Sequence, residues 1–75
     1  MNAVRRKEIS KIKELLESLM SDIESVKDDE ESALENMPEN LQESDRATEM
    51  QDYIDNLENA MGSIEDALDE LSNIE

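Results

Sequence analysis

From Ile9 the apolar residues fall at Ile9, Ile12, Leu16, Leu19, Ile23 and Val26, then at Ala33 and Met37. The steps alternate between three and four, which is the rhythm of a heptad seam on a helix. One polar residue, Glu30, stands where the next seam position falls. From Ala47 the rhythm resumes without exception through Met50, Ile54, Leu57, Met61, Ile64, Leu68 and Leu71. Further apolar residues flank both seams: Leu15, Met20 and Leu34 on the first, and Tyr53, Ala60, Ala67 and Ile74 on the second. Stripes this wide exceed what one partner helix can cover.

The single proline, Pro38, separates the two seams. It lacks an amide hydrogen and disfavours the helical region for Met37, so the first helix is predicted to end near Asn36. Ser44 or Asp45 is placed to cap the second helix, with Asp45 and Glu49 near its positive end. The pattern predicts one all-α helical-hairpin domain over residues 1–75. It has a helix at about 3–36, a turn at about 37–44 and a helix at about 45–74. Each helix is roughly 45 Å long at a rise of about 1.5 Å per residue. A connection of about eight residues lets them fold back antiparallel, like a coiled coil. The predicted register sets Ile9 against Leu71, Leu16 against Ile64, and Ile23 against Leu57. With the wide stripes, this predicts that two hairpins dimerise into a four-helix bundle. A lone hairpin that orders on its partner is the competing arrangement.

Charge sharpens the orientation. Residues 1–27 carry six basic residues against five acids, whereas residues 28–75 carry seventeen acids and one base, Arg46, within a net charge of -15. An antiparallel fold lays Arg5, Arg6, Lys7, Lys11 and Lys13 beside Asp66, Asp69, Glu70 and Glu75; a parallel one lays acid on acid. Exposed ion pairs contribute about 0 to 1 kcal/mol each, so they select an orientation more than they stabilise it. Arg46 lies in the first turn of a helix, where a cation opposes the helix dipole. Compensation by Glu30, Glu31 and Glu35 is the expected clasp across the Pro38 turn; the other reading makes that turn a recognition tip.

Composition narrows the chemistry. At 75 residues with one aromatic, Tyr53, the chain has only a small aliphatic core to draw on. It has no His and no Cys, so Ser-His-Asp, Cys-His and zinc constellations cannot be built, and no catalytic residue, metal ligand or cofactor is expected. The Asp28–Glu31 run of four acids lacks the alternation and central glycine of a calcium loop, and reads as a solvated face. Glu30 either sets a polar layer or marks where the seam opens. Met20, Met37, Met50 and Met61 suit either a re-packing surface or ordinary core filling. Gly62 marks a slight bend or a close approach by another chain. No apolar run approaches the roughly 18 residues that a membrane span requires, so the protein is expected to be cytoplasmic.

The run NMPENLQESDR, followed by Met50, Ile54, Leu57, Glu58, Ala60, Ile64 and Ala67, resembles small acidic proteins encoded by bacteriophages, prophages and mobile elements of Gram-positive bacteria. The resemblance spans nearly the whole chain and is most specific at the turn. Those relatives are mostly without an assigned activity, so it implies a genomic setting and a bacterial host rather than a mechanism. Small acidic phage proteins often bind a host protein, including inhibitors that occupy the DNA site of a defence nuclease.

The sequence therefore points to a non-enzymatic, phage-type binding module with two partners, a second copy and a basic host protein. Nucleic acid and membrane are not expected to bind directly. Glu49, Asp52, Asp55, Glu58, Glu65, Asp66 and Asp69 are its candidate partner-binding face. At one acid per about 4.5 Å of helix it approaches the about 3.4 Å spacing of phosphates along a DNA strand, which allows DNA mimicry. Two alternatives stand beside it: an assembly protein that binds through its apolar stripes, and a small-ligand sponge at an oligomer interface.

Overall fold

Asn2 opens the first helix: its Oδ1 accepts the amide of Arg5 at 2.9 Å, satisfying one donor that the first turn leaves free. The helix, α1, runs over Ala3–Glu35. It closes as the amides of Asn36 and Met37 donate to the carbonyls of Ser32 and Leu34 at 3.0 and 3.2 Å. Pro38, at φ -55° and ψ 144°, then takes the chain out of helical space. A single 3-10 turn over Glu39–Leu41 follows, closed from Leu41 to the Pro38 carbonyl at 2.8 Å. Gln42 Nε2 reaches back to the Met37 carbonyl at 3.1 Å and ties the turn together.

Ser44, extended at φ -73° and ψ 164°, begins the second helix, α2, over Asp45–Ser72. Its Oγ accepts the amide of Ala47 at 3.3 Å. Of the two candidate caps, Ser44 is the one used, and Asp45 is the first helical residue, where its charge meets the positive end of the dipole.

The computed structural model describes residues 1–74; Glu75, expected at the acidic end of the hairpin, lies outside them. The described residues are all-helical apart from the turn and the ends, with no strand. The molecule measures 59 × 15 × 11 Å with a radius of gyration of 17.3 Å, against about 11 Å for a compact domain of this length. It is a rod two helices wide, an antiparallel hairpin.

Burial in so thin a rod is sparse. Among the described residues only Ala47 and Ile54, at 4 % and 3 % exposure, are fully buried. The other predicted seam residues of α2, Met50, Leu57, Met61, Ile64, Leu68 and Leu71, are half-buried. So are Ile9, Leu16 and Ile23, their predicted partners on α1.

The rest of the α1 seam differs from the expectation. Ile12, Leu19 and Val26 are 46 %, 52 % and 56 % exposed. The half-buried positions between Ile9, Leu16 and Ile23 are instead Lys13, Met20 and Lys27, with Glu30 and Leu34 beyond them. Ile9, Leu16 and Ile23 belong to two heptad phases, one continuing through Ile12, Leu19 and Val26, the other through Lys13, Met20 and Lys27. The first is the more apolar, but α2 is lined with acid. The second sets the stems of Lys13 and Lys27 along the seam, and Lys27 Nζ lies 3.8 Å from Glu58 Oε1 of α2.

Gly62 lies inside α2, and a methyl group built on it meets nothing within 4 Å. Among the described residues nothing approaches it closely, so the site has room for a side chain. Gly62→Ala is expected to raise stability by up to about 1 kcal/mol through helix propensity alone, read as a higher urea midpoint with unchanged slope.

Candidate interaction surfaces

Three surfaces emerge from this arrangement: the acidic side of α2, a cleft at the turn, and the apolar row that α1 leaves outside the seam.

On α2, Asp52, Asp55, Glu58, Glu65, Asp66 and Asp69 are all exposed. At 3.6 residues per turn Asp52, Asp55, Asp66 and Asp69 spread over the side of α2 that faces away from the seam, and Glu58 and Glu65 flank the seam. Asp55 accepts Gln51 Nε2 at 3.1 Å, which braces it along its own helix. Glu58 is engaged across the hairpin, where its Oε1 lies 3.8 Å from Lys27 Nζ. Lys27 also approaches Glu31 at 3.7 Å, and its side chain is 19 % exposed. It thus bridges one acid of each helix, although exposure of the carboxylates limits each pair to about 0 to 1 kcal/mol. Glu49 lies apart from the acidic side, on the wall of the cleft.

The cleft, about 240 Å³, is lined by Glu30, Arg46, Glu49, Met50 and Tyr53. The half-buried Glu30 stands here, at the position where the apolar rhythm of α1 is interrupted. The clasp expected from Arg46 to Glu30, Glu31 and Glu35 makes no ion pair within 4.0 Å among the described residues, although Arg46 and Glu30 line the same cleft. Among the described residues, Lys27 makes both ion pairs within 4.0 Å, and it is Lys27 that holds Glu31. The reason is geometric: Lys27 sits in the seam one turn from Glu31, whereas Arg46 faces the cleft on the other helix. Arg46→Ala is therefore expected to leave hairpin stability within about 0.5 kcal/mol of the parent, because no ion pair is lost and an unfavourable dipole contact is removed. Thermal melts at low salt read this directly, and a loss above about 1 kcal/mol contradicts it.

At the open end, Arg5, Arg6, Lys7, Lys11 and Lys13 make no ion pair within 4.0 Å among the described residues, so their charges remain available. Lys27 was missed as a seam residue because a lysine scores as polar in an apolar pattern. The usable signal was its spacing, four residues beyond Ile23 and seven short of Leu34.

The third surface is formed by Ile12, Leu15, Leu19 and Val26, with Leu15 the most open at 63 % exposure. Among the described residues no group of three or more His, Cys, Asp or Glu is arranged to hold a metal ion. Among the described residues no helix is long and apolar enough to cross a membrane. No protein-family model, curated protein or solved structure matches the chain.

Proposed function

We propose that the protein is a non-enzymatic interaction module of phage type that acts in the cytoplasm of a bacterial host. Its acidic α2 binds and inhibits a basic, nucleic-acid-binding host protein, such as a defence nuclease, as a mimic of DNA. The active form in this reading is a dimer of hairpins. The observation that carries it is the acidic helix of the rod: over about 42 Å at the helical rise, α2 presents nine acids in its 28 residues and one base, Arg46, turned into a cleft. That is one acid per about 4.7 Å at the helical rise. Rigidity matters, because acids held in place cost less ordering entropy on binding than the same acids on a flexible tail. A positively charged DNA groove would then be steered toward α2 at long range.

Capture from a host lysate at low and high salt, followed by competition with duplex DNA, tests this. Binding should fall steeply with salt and DNA should displace the rod; salt-insensitive binding that DNA leaves untouched would sink the mimicry. The exposed row of Ile12, Leu15, Leu19 and Val26 favours a second reading, an assembly protein that docks through apolar contacts while its acid keeps it in solution.

A further inference from the structure

The apolar residues left outside the seam form a single face. On α1, the row of Ile12, Leu15, Leu19 and Val26 lies about 90° around the helix from the seam at 3.6 residues per turn. On α2, Tyr53, Ala60, Ala67 and Ile74 recur every seven residues, also about 90° from their own seam. Tyr53 and Ile74 are exposed, and Ala60 and Ala67 are half-buried. Both helices are right-handed and they run in opposite directions, so these two rows turn to the same side of the hairpin. In a square bundle each helix touches two neighbours about 90° apart, and that is the arrangement of apolar rows seen here.

We infer that this side of the hairpin is covered by a second copy of the chain, with the α1 row of each copy seated on the α2 row of the other, around a two-fold axis parallel to the rod. The inference deepens the dimer in the reading above and rests on it.

Three observations select this occupant and this pairing. The accessible surface of 5759 Å² exceeds by about 1,000 Å² the about 4,700 Å² of a compact monomer of this mass, and a standard interface covers about 800 Å² on each partner. Size complementarity comes next: Ile12, Leu15 and Leu19 fill the space over Ala60 and Ala67, whereas seating α1 on α1 sets large on large and leaves alanine facing alanine. Charge decides in the same direction. Seating α2 on α2 brings the two most acidic helices together, while the crossed pairing sets the basic start of α1 at the same end as Glu70 of the second copy, which borders the α2 row. The outer acids Asp52, Asp55 and Asp66 stay clear of the apolar face.

The mass in solution of the intact chain tests the inference. Light scattering at about 100 μM should give about 17 kDa, twice the 8.6 kDa of one chain. Leu19→Glu, which changes a residue outside the hairpin seam, should return the mass to that of one chain with helical circular dichroism retained. Pairing is read by cysteine variants, since the chain has none of its own. Leu19→Cys and Ala60→Cys chains, unfolded and refolded together, should form a mixed disulfide, while Leu19→Cys alone should not cross-link to itself. A monomeric parent overturns both this inference and the dimer it rests on. A parent dimer that Leu19→Glu leaves intact overturns this face alone, and self-linking of Leu19→Cys overturns the crossed pairing.

Discussion

Ile54→Ala is expected to remove most of the hairpin's stability. Ile54 is 3 % exposed and shares the fully buried set with Ala47 alone, so no thick core surrounds it to absorb the change. Truncating a buried isoleucine to alanine costs about 2 to 5 kcal/mol, and a domain of this size typically has about 3 to 5 kcal/mol to lose. Ala47 and Ile54 both belong to the first turns of α2, directly after the turn and its Ser44 cap. Their burial is what closes the hairpin there, so the loss should appear as a cooperative drop in helicity rather than local fraying. Urea titration followed at 222 nm measures it. A cost below about 1 kcal/mol would mean that stability resides elsewhere along the rod.

Neutralising the outer acids together as Asp52→Asn, Asp55→Asn, Asp66→Asn and Asp69→Asn should weaken capture of the basic partner by roughly 10- to 100-fold at low ionic strength and flatten its salt dependence. The net charge moves from -15 to -11, and four charges are removed from the side of α2 that faces solvent. Asn and Asp have similar helix propensities, so the fold should hold. None of the four makes an ion pair within 4.0 Å among the described residues. Fluorescence anisotropy against the captured protein, repeated across a salt series, gives the affinity and its slope. If affinity and slope both stay at parent values, the acid serves only solubility and the apolar reading takes over.

Much of the fold was legible because its causes are local. Pro38 cannot continue a helix whatever surrounds it, and Ser44 carries its own hydroxyl to the amide of Ala47. The seam of α2 could be read residue by residue, since of its two apolar phases the one through Ile54, Met61 and Leu68 carries larger aliphatic side chains than the one through Tyr53, Ala60 and Ala67. On α1 two phases share Ile9, Leu16 and Ile23, and hydrophobicity alone selects the one through Ile12, Leu19 and Val26. Which phase meets α2 depends on what α2 presents, and an acidic partner draws Lys27 into the interface. The candidate site follows the same division. Exposure of the acids on α2 follows from their spacing opposite the seam, but the engagement of Glu58 by Lys27 and the placing of Glu49 with Arg46 in the cleft do not.

By itself, then, the sequence determined the number of helices, the break between them and the acidic character of α2, each set by residues within a turn or two of one another. Only the tertiary structure decided which side of α1 is spent inside the hairpin, which basic residue bridges the helices, and that a second apolar face remains in the open. Those choices depend on side chains more than twenty residues apart in sequence, whose meeting is set by the rotation of one helix against the other and carries no local signature.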